Sequence, residues 1–174
     1  MFSGWQSLFQ MTGEAAATLT GLLFIVVTLT AGRPRPRGMQ IGSRFYTTPT
    51  VFHFATVLAI SAMALAPAGE GPWPAALMLA WSLAGLACAL HVTVGILRLP
   101  NHAHWSDIGW YGLGPLAAHA ALALACGGVV LRLPHAALGL ALTILALLLV
   151  ATRNAWDLAT WLAQGPSLDQ EPEA

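Results

Sequence analysis

GEAAATLTGLLFIVVTLTAGRPRPR, residues 13–37, is an apolar run without a charge beyond Glu14 that ends in three arginines alternating with two prolines. Residues 15–31 alone cover about 26 Å as a helix rising ~1.5 Å per residue, close to the thickness of a hydrocarbon core. Trp5, with Phe2 and Phe9, supplies an aromatic lead-in of the kind found at headgroup level. Arg33, Arg35 and Arg37, spaced by Pro34 and Pro36, stop the helix and resist translocation, so this loop is expected on the cytoplasmic side.

The rest of the chain agrees with a lipid-embedded class. Hydrophobic residues make up 57% of it and charged residues 8%, and the mean hydropathy is +0.69. A soluble domain carries roughly 25% charge. Net charge is zero, with no basic field for nucleic acid. Cys88 and Cys126 both lie inside apolar segments at different expected depths, which argues against a disulfide framework and for small packing residues. Nothing basic precedes the first apolar run, so a cleaved signal peptide is not expected.

Outward from the first span, four more apolar segments follow, at about 49–67, 73–99, 110–133 and 135–164, with the first at 13–31. The expected fold is all-α, a single bundle of five transmembrane helices over residues 1–164. Residues 165–174, acidic and proline-containing, are expected to be a disordered tail. With the amino terminus out and the carboxyl terminus in, Arg33, Arg35, Arg37, Arg44, Arg98 and Arg153 fall inside and Arg132 outside, which is the asymmetry the positive-inside rule asks for. The fifth segment is too long for the hydrocarbon alone. Arg153, Asn154, Trp156, Asp157 and Trp161 are therefore expected to form an interfacial collar, with a docking surface for a partner or for the 33–44 loop as the sharper alternative.

Polar residues within the spans are where chemistry would reside, since ionisable groups are expensive in lipid. At about 100° per residue, Glu14, Thr18, Gly21, Ile25 and Thr28, with Ala17 beside them, share one face of the first helix. That face suits close helix packing, including between protomers. It also suits an oligomeric pore with a ring of Glu14 carboxylates at the mouth. His53, His91 and His119 fall at depths of about 8, 10 and 14 Å from the inner boundary. The small neighbours of His91 (Ala84, Cys88, Gly95) and of His119 (Gly112, Pro115, Ala123, Cys126) suggest that both face inward. A haem or metal site built on the three histidines is one expectation; neutral histidines bonded to neighbouring helices are the other. His102, His104 and Asp107, in NHAHWSD, form a weaker candidate metal group. No nucleophile stands at a defined spacing from a base, and no phosphate-binding or dinucleotide-binding glycine pattern occurs, so an enzyme is not expected.

Four stretches taken together, GEAAATLTGLLFIVVTL (13–29), TPTVFHFATVLAISA (48–62), DIGWYGLGPLAAHAAL (107–122) and RNAWDLATWL (153–162), resemble a family of small bacterial multi-pass membrane proteins. Some of its members are labelled modulators of the membrane protease FtsH. The resemblance implies a bacterial inner-membrane location and, as one possible role, protease modulation; it implies no catalytic residue. The expected function is a non-enzymatic, self-associating scaffold or accessory subunit of a membrane complex, without a cofactor and with the lipid bilayer as its surroundings. An ion or proton channel lined by the first helix and a haem or metal redox protein stand as alternatives.

Overall fold

The computed structural model describes residues 2, 4–31, 43–67, 73–98 and 105–164, and all regular structure among them is helical. Five helices are long and apolar enough to cross a membrane. They are α1 (Gln6–Thr30), α2 (Thr48–Leu65), α3 (Trp73–Leu97), α4 (Gly114–Val130) and α5 (Ala136–Gln164). The topology signals Arg33, Arg35 and Arg37 lie outside the described residues, as do His102, His104 and the acidic tail; the side chain of Arg44 is likewise not described.

Helix α1 begins at Gln6, seven residues before the expected boundary. The extension is held by packing. Phe9 is fully buried and meets Phe2 edge-on at 5.4 Å between ring centroids, while Gly13 lets Ser61 of α2 approach its backbone. There Thr12 Oγ1 and Ser61 Oγ hydrogen-bond at 3.0 Å, joining the amino-terminal end of α1 to the carboxyl-terminal end of α2.

Helices α2 and α4 are each entered through a π-helical segment, Ser43–Thr47 and Ile108–Leu113 respectively. A one-turn helix, Trp105–Asp107, precedes the second. In both cases a proline stands at the start of the following helix, Pro49 or Pro115. A proline inside a helix has no N–H and collides with the carbonyl one turn back. Widening that turn by one residue makes room for the ring and keeps the axis running. The second and fourth segments therefore begin earlier than the expected positions 49 and 110.

The turn from α4 into α5 is a Schellman closure. Leu133 N–H donates to Gly128 O at 2.9 Å and Arg132 N–H to Val129 O at 3.1 Å, with Arg132 in the left-handed region at φ 54°. His135 is also left-handed, at φ 64°, immediately after Pro134. Helix α5 then runs the length of the bundle, and Leu140, Ile144, Leu147, Ala151 and Leu158 keep one buried stripe along it at helical spacing. From Leu140 to Ala151 that stripe closes on Phe54, Val57 and Ile60 of α2 and on Leu122 and Cys126 of α4. Outside this core the surface is apolar: Phe24, Leu29, Leu124 and Leu149 are each at least 60% exposed.

Candidate functional site

Besides the Thr12–Ser61 pair, two larger polar arrangements lie inside the bundle among the described residues, one in its middle and one at its end. In the middle, His53 of α2 and His119 of α4 are buried and joined directly, His53 Nδ1 to His119 Nε2 at 3.1 Å. Phe52 stacks on the His119 ring and on Trp81 of α3, with centroids 6.2 Å apart in both cases. Trp81 Nε1–H donates to Thr56 Oγ1 at 3.3 Å, so α2, α3 and α4 meet at this layer. Gly85 makes it possible. A Cβ at that position would stand 2.5 Å from His119 Nδ1, so the imidazole occupies the space a side chain on α3 would need. His119 Nδ1 is buried without a hydrogen-bond partner among the described residues.

His91 does not join this pair. It is exposed on α3, and so is Ala84, while the buried face of that helix is Ser82, Gly85, Ala89, Val92 and Ile96. The expectation that His91 looks inward is corrected here. Alanines lie on every side of α3, so small neighbours do not distinguish a packed face from an outward one. Among the described residues no three histidine, cysteine, aspartate or glutamate side chains converge as a metal-binding set. A haem iron held between two imidazoles would separate their nitrogens by about 4 Å, twice an ordinary metal–imidazole bond of ~2 Å. Here the nitrogens hydrogen-bond to each other, with no slot between the rings. Cys88 and Cys126 are both free thiols.

The second arrangement is a half-open cavity of about 460 Å³ lined by Tyr46, Asp107, Tyr111, Asp157, Leu158, Thr160 and Trp161. Each π-helical segment delivers one of the tyrosines, and the two rings meet at 4.7 Å between centroids and 84° between planes. The Tyr111 hydroxyl donates its proton between two acceptors, Asn154 O at 3.1 Å and Asp157 Oδ2 at 3.2 Å. Arg153 Nη1 stands 3.2 Å from the same Asp157 oxygen, and its guanidinium lies 5.2 Å above the Trp110 ring.

Asn154 explains how the second π segment is tolerated. Gly114 N–H reaches back five residues to Gly109 O, so the matching donor for the Trp110 carbonyl is residue 115, a proline with no N–H. Asn154 Nδ2–H, from α5, donates to that carbonyl at 2.8 Å. Asn154 is only 1% exposed, and its Oδ1 has no partner among the described residues.

The expected collar is thus divided. Trp156 is 72% exposed and points away from the bundle, Asn154 is internal, and Asp157 and Trp161 line the cavity. Sequence reasoning missed Tyr46 and Tyr111, whose spacing to Pro49 and Pro115 is the signal that would have placed them. On α1 the whole stripe Glu14, Ala17, Thr18, Gly21, Ile25 and Thr28 faces outward from the other four helices. Comparison of the chain with protein-family models, with curated proteins and with solved structures gave no match.

Proposed function

We propose that this chain is a non-enzymatic multi-pass protein of a bacterial inner membrane, amino terminus out and carboxyl terminus in. In this reading it self-associates along the outward face of α1 as a scaffold or accessory subunit of a larger membrane assembly. One observation carries the proposal. The hydroxyls of Thr12, Thr20 and Thr30 on α1 all donate to backbone carbonyls one turn back, whereas Thr18 and Thr28, on the outward stripe, make no side-chain hydrogen bond among the described residues. In hydrocarbon an unpaired hydroxyl is costly and water is not at hand to satisfy it. A second copy of the same face satisfies it, and Ala17 and Gly21 beside the threonines let two backbones approach closely enough for the bond to form. Interhelical bonds of this kind contribute about 0.6 to 2 kcal/mol each in membranes.

Gly21 gives a clean test, because a Cβ there meets nothing within 4 Å in its own chain. Gly21→Leu should leave the protomer's unfolding temperature unchanged while lowering the oligomeric fraction seen by native mass spectrometry and crosslinking in bilayers about tenfold. Thr18→Val, which removes only the hydroxyl, should act in the same direction. A wild-type chain that stays a single protomer across protein-to-lipid ratios would sink the proposal, and so would an oligomer indifferent to both substitutions.

A further inference from the structure

The cavity between the two π-helical segments and the end of α5 has the chemistry of a site for an organic cation. Three of its lining residues are aromatic, Tyr46, Tyr111 and Trp161, and two are carboxylates, Asp107 and Asp157. Cations bind over aromatic faces through the ring quadrupole, and quaternary ammonium groups are recognised by cages of such rings. The near-perpendicular Tyr46 and Tyr111 rings form two adjoining walls of a cage of this type.

Charge decides the sign and number of what fits. Asp157 is already balanced by Arg153 and tied to the Tyr111 hydroxyl. Among the described residues Asp107 has no ion-pair partner, and none of those lining the cavity with it is basic. One positive charge completes the site. The volume, about 460 Å³, lies within the ~300–1,000 Å³ of ordinary small-molecule sites and holds an ammonium group together with the chain that bears it. Trp105, Trp110 and Trp156, all exposed at the same end of the bundle, put the mouth at the level where aromatic residues meet headgroups.

We infer that this cavity binds the ammonium group of an organic amine, with Tyr46, Tyr111 and Trp161 as the aromatic walls and Asp107 as the counter-charge. The shared chemistry has two sources, the ethanolamine or choline headgroup of a lipid and a free alkylammonium compound. The site does not depend on whether α1 self-associates, since it lies within one chain.

The test uses the full chain in phosphatidylglycerol nanodiscs, titrated with choline and, separately, with 3,3-dimethyl-1-butanol, its neutral isostere, and read by ligand-observed saturation-transfer NMR. Choline should bind saturably and the alcohol should not. Asp107→Asn and Trp161→Leu should each weaken choline binding about tenfold or more, with Trp156→Leu, on the outward face, unchanged; the unfolding temperature of each variant reports whether it has folded. Native mass spectrometry from bilayers of equal phosphatidylethanolamine and phosphatidylglycerol then separates the sources. Preferential retention of phosphatidylethanolamine, lost in Asp107→Asn, supports the site with a lipid headgroup as its occupant; choline binding without lipid preference supports it with a free amine. The inference is overturned if neither choline nor phosphatidylethanolamine is held. Equal binding of the neutral isostere, or folded Asp107→Asn and Trp161→Leu chains that bind choline as the wild type does, would overturn it as well.

Discussion

At Gly85 a single hydrogen atom decides whether three helices can meet. His119 is held from one side by His53, stacked from another by Phe52, and rests on the α3 backbone where a methyl group would stand 2.5 Å from Nδ1. With no free direction of retreat, Gly85→Ala should destabilise the chain by about 1–3 kcal/mol, the usual cost of overpacking, measured as denaturant unfolding in detergent. His53→Ala should cost a similar ~1–3 kcal/mol because it leaves the buried His119 without its bond, whereas His91→Ala, on the exposed face, should stay within about 0.5 kcal/mol. Equal losses from all three substitutions would contradict the packing described. The common depth of His53 and His119 was legible in the sequence, because depth follows from counting residues along a span. Rotation about the helix axis was not. On α3 both faces carry small residues, and only contact with α4 through Gly85 selects which one is buried.

At the scale of the element, the same local feature, a proline, has two different outcomes. Pro134 ends a helix, and the chain turns through left-handed Arg132 and His135. Pro49 and Pro115 do not end one; the turn before each widens and the helix continues. The missing N–H is common to all three, and the sequence reading places Pro134 at a break, Pro49 at the start of the second segment and Pro115 inside the fourth, without the widened turn before the last two. What separates them is non-local for Pro115: the carbonyl it leaves unpaired at Trp110 is met by Asn154, 44 residues later in the chain. Asn154→Leu should therefore cost about 1–3 kcal/mol, the price of one orphaned buried carbonyl. Pro115→Ala restores a donor to the ladder, so it should lessen the effect of Asn154→Leu when the two are combined. A double-mutant cycle in thermal unfolding with strictly additive losses would refute this coupling. The tyrosines follow the same rule. Residues 46 and 111 reach one cavity because each lies within a widened turn ahead of a proline, a convergence that no stretch of sequence displays by itself.

For the whole molecule, the distribution of apolar surface and charge bears on the medium and on the proposed orientation. The five long apolar segments were legible because length and apolarity are local quantities, and each is matched by a helix of 17 to 29 residues. The buried share of each apolar window lies between 22% and 50%, so at least half of the residues in every window keep some exposed surface. In water such a surface would drive aggregation, at about 25 cal/mol for every Å² left exposed. Hydrocarbon removes that penalty, and the chain is therefore expected to resist alkaline extraction and to require detergent for release. Direction follows from the contacts. Tyr46 before α2, Asp107 and Tyr111 before α4, and Asp157 near the end of α5 line one cavity, and Phe45 abuts Gly95 near the end of α3, so these four helix ends lie together at one end of the bundle. That end also carries Arg98 and Arg153, while Arg132 stands at the other. If arginines set the orientation, reporters fused after residue 38 and after residue 170 should both be cytoplasmic, and one inserted at residue 133 should be external. Reporters at 38 and 170 on opposite sides of the membrane would require an odd number of crossings between them and the loss of one of the four spans that separate them.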